Sequence, residues 1–90
     1  MKILKFSAQW CGPCKVLKTV YDKVAKDEKY SGIQFNEIDV DEDDDNLTAK
    51  YGIRNVPTIL VLDDDGSLKE RLVGSVSETV IRNTLDQYVS

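Results

Sequence analysis

Cys11 and Cys14 are the only two cysteines of this chain, and they stand two residues apart in Trp10-Cys11-Gly12-Pro13-Cys14. A thiol at the start of a helix faces unpaired backbone N–H groups and the positive end of the helix dipole, and both favour the thiolate. A second thiol one turn on is close enough to attack a mixed disulfide and release its partner. The pair suits thiol–disulfide exchange, with Cys11 as nucleophile and Cys14 as resolving thiol. A permanent staple is a poorer reading, because a ring of about four residues stabilises a fold by only ~2 kcal/mol. A zinc site is poorer still. It needs two further soft ligands, and the chain has no histidine and no third cysteine.

The pair must be held by a strand that ends where a helix begins. Residues 2–7 carry Ile3, Leu4 and Phe6 and read as that strand. From Cys14 onward Val16, Leu17, Val20, Tyr21, Val24 and Ala25 recur at helical steps with lysines between them, an amphipathic helix expected to run to Ser31-Gly32. Pro13 suits its first turn, where a missing N–H costs nothing. Residues 33–40 read as a second strand and 47–51 as a short helix closed by Gly52. Thr58-Ile59-Leu60-Val61-Leu62 is an almost unbroken apolar run, as in a central strand covered on both faces. Asp63-Asp64-Asp65-Gly66 signals a hairpin into a strand over 68–73. Ser77 can cap a last helix whose expected buried stripe is Val80, Ile81, Thr84, Leu85 and Tyr88. The order is βαβαββα, a four-stranded mixed α/β sheet with flanking helices in a single domain over residues 1–90.

The formal charge of −4 and pI near 4.7 argue against nucleic acid as a partner. No apolar run is long enough to span a membrane, and Met1-Lys2-Ile3-Leu4-Lys5-Phe6 does not read as an export signal. A cytoplasmic, reducing location and a monomer are the expectation, and there two cysteines read as catalytic. The acidic run Asp41-Glu42-Asp43-Asp44-Asp45 lacks the glycine and terminal glutamate of a calcium loop and is expected to be a solvated, helix-capping segment.

These residues resemble the thioredoxin family. The resemblance lies in Phe6-x-Ala8-x-Trp10-Cys11-Gly12-Pro13-Cys14-Lys15, in Asp39, in Tyr51-Gly52-Ile53-Arg54-x-Val56-Pro57-Thr58 and in Val73-Gly74. It covers almost the whole chain, although the family's usual leading strand and helix have no counterpart, so a minimal thioredoxin-like fold is expected with the second strand at a sheet edge. Polar Gln34, Asn36 and Glu37 suit that edge. The resemblance implies a protein-disulfide reductase that needs no cofactor beyond its own Cys11–Cys14 disulfide and no metal. Disulfide-containing proteins would be its substrates and a thioredoxin reductase or equivalent donor would recharge it. It implies that Trp10, Gly12, Pro13, Val56, Pro57 and Gly74 form the substrate-binding rim, with a cis Val56–Pro57 peptide. A glutaredoxin-like role, an oxidant or isomerase role, and a redox-independent docking subunit using the same face remain open.

Two departures concern charge. Lys5 stands where the family carries a buried aspartate near the second cysteine, and Phe35 where it carries the partner lysine. The usual pair is therefore expected to be missing. Lys5 either tunes the Cys14 pKa or simply reaches solvent, and the second is the expectation.

Overall fold

The computed structural model describes residues 1–89. Strands β1 (Lys2–Ser7), β2 (Gln34–Asp39), β3 (Thr58–Leu62) and β4 (Leu68–Val73) form one sheet in the order β2-β1-β3-β4. β1 runs parallel to β2 and antiparallel to β3, and β3 runs antiparallel to β4. Helices α1 (Gly12–Ala25), α2 (Leu47–Lys50) and α3 (Glu78–Asp86) complete the order βαβαββα, with single 3-10 turns at Glu28–Tyr30 and Val40–Glu42. β2 is an edge strand, as its polar residues lead one to expect. No described helix is long and apolar enough to cross a membrane.

Alternation along the two central strands builds a core on each face of the sheet. Ile3, Ile59 and Val61 pack with Leu17, Tyr21 and Val24 of α1 and with Ile81 and Leu85 of α3. Leu4, Phe6, Leu60 and Leu62 pack on the other face with Leu47, Tyr51 and Ile53. All five residues of β3 are buried, as a central strand requires.

Three expectations change. α1 stops at Ala25, six residues before Ser31, because the Asp27 carboxylate accepts from the Lys29 N–H at 3.0 Å and starts a separate 3-10 turn. This turn buries Tyr30, whose hydroxyl donates to Asp86 at 2.8 Å. The α1 stripe is Cys14, Leu17, Tyr21 and Val24, and Val16 lies exposed about a quarter-turn away. The α3 stripe is Ile81, Thr84 and Leu85; Val80 and Tyr88 are exposed, and the Tyr88 hydroxyl donates to Glu70 at 2.9 Å. Ser77 does cap α3, its Oγ accepting from the Val80 N–H at 3.2 Å.

Candidate active site

The chain leaves β1 at Ser7 and enters α1 at Gly12, and Cys11 is the N-cap residue. Its backbone is extended, and its Sγ accepts the Cys14 N–H at 3.1 Å. Pro13 falls in the first turn, where it leaves no donor unpaired. The Cys11 sulfur therefore takes the capping place that a serine or aspartate oxygen takes elsewhere, and any negative charge that develops on it meets the helix N-terminus.

Cys11 and Cys14 form a disulfide whose Cα atoms lie 5.3 Å apart. Both are 4% exposed and pack with Ala8, Val40 and Val56 in a small cluster that Val40 joins to the core of Leu4 and Phe6. Trp10, Gly12 and Pro13 around them are exposed, Trp10 by 71%. A largely covered disulfide is thus ringed by accessible residues, and the indole is the one large apolar group among them. The indole does not swing free: its Nε1–H donates to the Asp41 carboxylate at 2.9 Å.

The other half of the site arrives from β3 and β4. The Val56–Pro57 peptide is cis, and the Val56 carbonyl oxygen lies 3.8 Å from Cys11 Sγ. In the disulfide that sulfur carries no proton, so the approach is a contact and not a hydrogen bond. Gly74 donates its N–H to the Pro57 carbonyl at 2.8 Å and has φ +91°. A Cβ built there would meet nothing within 4 Å, so the space above Gly74 is open. Every residue expected at the rim is thus either exposed beside the disulfide or tied to it through Val56 and Pro57.

Lys5 overturns the expectation that it reaches solvent. It shares the α1 face of β1 with Ile3 and is only 1% exposed. Its Nζ lies 2.6 Å from Glu37 Oε1 and 4.8 Å from the Tyr21 ring centroid. The family's usual pair is missing as expected, and Lys5 has a different partner. Phe35 faces Ile3 in the register and packs edge-on against Tyr21, while Glu37 lies directly across from Lys5. Glu37 also stands 3.6 Å from Lys18 Nζ. Burial, and next the Glu37 charge, push the Tyr21 phenol well above its usual pKa, so it stays neutral and donates to the Asn36 carbonyl at 2.9 Å.

Glu37 and Asp41 are functional candidates that the linear sequence hid. Matching residues 2–7 in parallel register with 34–39 would have placed Glu37 beside Lys5. Nothing local could place Asp41 against an indole 31 positions away. Asp43, by contrast, behaves as a helix-capping acid, accepting from the Leu47 and Thr48 N–H groups. Thr48, through its side chain first and its N–H next, holds the Asp43 carboxyl below the usual carboxylate range.

Residues 1–87 match the family model described as Thioredoxin. The chain belongs to the thioredoxin family. It is 38% identical over 88 residues to thioredoxin M5, chloroplastic, of Oryza sativa subsp. japonica, covering 98% of this chain and 49% of that protein. It is 34% identical over 88 residues to a thioredoxin of Porphyra purpurea, covering 98% and 79%. The chain spans about half the length of the plant M-type relatives it matches. Among solved structures, Malassezia sympodialis thioredoxin superimposes with TM-score 0.88 at 27% identity, over 99% of this chain and 75% of that one. Fasciola hepatica thioredoxin superimposes with TM-score 0.84 at 31% identity, over 97% and 79%. The four-stranded mixed sheet with its helices is therefore a thioredoxin fold.

Proposed function

We propose that this thioredoxin-family chain is a thiol–disulfide oxidoreductase that reduces protein disulfides. The observation that carries the reading is the Cys11–Cys14 disulfide with Cys11 Sγ at the α1 N-cap, 3.1 Å from the Cys14 N–H. In the reduced protein the Cys11 thiolate attacks one sulfur of a substrate disulfide. The substrate S–S bond breaks and its pair leaves on the second substrate sulfur, which takes a proton from solvent. The Cys14 thiolate then attacks Cys11 Sγ, restores the Cys11–Cys14 bond and expels the second substrate thiolate. Two electrons pass to the substrate, and a reductase or equivalent dithiol donor returns them. The disulfide is itself the electron carrier, and the reading requires no added cofactor.

The exposed Trp10, Gly12 and Pro13, and the open space above Gly74, leave room for an extended substrate segment beside Val56. The reductant direction suits a reducing compartment such as the cytoplasm, with the chain acting as a monomer. A Cys14→Ser variant should trap a covalent mixed disulfide through Cys11 when mixed with a disulfide-bonded protein, and Cys11→Ser should trap none. Mass spectrometry reads both. Absence of the Cys14→Ser adduct, together with full activity of the double serine variant, would replace exchange with a redox-independent docking role.

A further inference from the structure

Lys5 occupies a position that sheet alternation assigns to the apolar core, between Glu37 on β2 and Ile59 on β3. An ammonium group is costly there unless paired, and its partner is placed asymmetrically. The Lys5 side chain is 2% exposed, whereas that of Glu37 is 45% exposed. The cation is buried and the anion lies at the mouth. Beside the pair opens a cavity of about 280 Å³ whose lining includes Lys5, Ala8, Cys14 and Glu37. The other charged groups around it are Lys15 and Lys18 from α1 and Asp39 from β2. The neutral Tyr21 phenol lies behind Lys5, and β3 offers only Ile59 opposite it.

Resting on the exchange reading above, we propose that Lys5 is the positioning residue for the resolving step, holding the Cys14 sulfur toward its thiolate form. In the oxidised protein Cys14 is neutral and Glu37 pairs with Lys5. Reduction places a second ionisable group in the same cavity. The Cys14 proton leaves to solvent through the mouth at Glu37, and the thiolate remains facing the buried ammonium. It then attacks Cys11 Sγ of the mixed disulfide. The new S–S bond forms as the Cys11–substrate bond breaks, and the electron pair departs on the substrate sulfur. Glu37 moderates the effect by drawing part of the Lys5 field to itself.

The two partners therefore act on Cys14 with opposite sign, which separates this role from simple packing. In a Cys11→Ser background Cys14 is the only thiol, and its ultraviolet thiolate absorbance can be titrated directly. Adding Lys5→Met should raise the Cys14 midpoint by about one pH unit, a tenfold loss of acidity. Adding Glu37→Gln should lower it. Circular dichroism establishes that each variant is folded, and if Lys5→Met does not fold, the sign of the Glu37→Gln shift decides. Unchanged midpoints overturn the proposal and leave the pair as packing. A higher midpoint in Glu37→Gln also overturns it, and makes Glu37 the proton acceptor instead. Failure of the Cys14→Ser adduct sinks the exchange reading without touching this titration, and flat midpoints sink this proposal while the adduct still forms.

Discussion

Reduction of Cys11–Cys14 should weaken this fold by about 1–2 kcal/mol and leave it folded. The two cysteines are three positions apart, so the bond closes a ring of four residues. Loop entropy for so small a ring gives the oxidised form an advantage of about 2 kcal/mol. The helix N-terminus works the other way. Cys11 Sγ already receives the Cys14 N–H, and a thiolate there gains about 0.3–1 kcal/mol from the dipole and that donor. The net loss corresponds to a fall in melting temperature of about 5–15 °C for a domain of this size. Neither main core includes a cysteine, so nothing that holds the sheet together leaves with the bond.

The assay is urea and thermal unfolding at neutral pH, with and without excess dithiol reductant, followed by circular dichroism. The urea midpoint should fall while the slope stays the same, since the surface exposed on unfolding hardly changes. Collapse of the native signal on reduction, or a loss above about 4 kcal/mol, would make the bond a staple and refute this account of the site. A reduced form more stable than the oxidised one would mean that the helix terminus outweighs chain entropy, and the opposing magnitudes above would be wrong.

Acid should weaken the tie between α3 and the turn after α1. Arg82 Nη1 lies 2.6 Å from Asp27 and its Nε 2.8 Å from Glu78. The Lys29 N–H, and next Arg82, hold the Asp27 carboxyl below its usual range; Arg82, and next Lys23, do so for Glu78. A carboxyl depressed in the folded state stabilises above its unfolded pKa and loses that contribution as pH falls through the folded one. Melting temperature should therefore decline below the ordinary carboxylate range, and Arg82→Met should flatten that decline; an unchanged profile would contradict it. Gly74→Ala should cost about 1–2 kcal/mol in denaturant unfolding, because φ is +91° while its Cβ meets open space. The same variant should raise KM for a protein disulfide more than it lowers kcat, and an unchanged KM would make Gly74 a turn residue alone.

Much of this molecule is legible in sequence because its signals are local. The apolar run in residues 2–7, the unbroken run 58–62 and the cysteine pair each need only neighbouring residues to be recognised. The ends of helices were less legible. Asp27 stops α1 by binding the Lys29 N–H, a competition that a periodicity continuing through the lysines does not reveal. The burial of Lys5 is hidden for a related reason. A lysine alone on a strand reads as solvent-seeking, and only the parallel register that sets Glu37 opposite it explains its burial. Trp10 is exposed beside the disulfide, and its hold on Asp41 depends on where β2 ends.

That ending accounts for the site as a whole. β1 and β3 are antiparallel, with Phe6 opposite Thr58, so the exit of β1 lies beside the entrance to β3. Cys11 and Val56, 45 positions apart, meet there for that reason. β4 ends with Val73 opposite Thr58, which delivers Gly74 to Pro57. β2, parallel to β1, ends with Asp39 opposite Ser7, and two residues later Asp41 meets the indole. All four strands thus supply a residue to one end of the sheet, and Lys5 lies two positions before β1 ends there. Substitutions at this end should register in thiol acidity and substrate affinity. At the other end Lys69 pairs with Asp63 beside the hairpin turn, and changes there should register in stability alone.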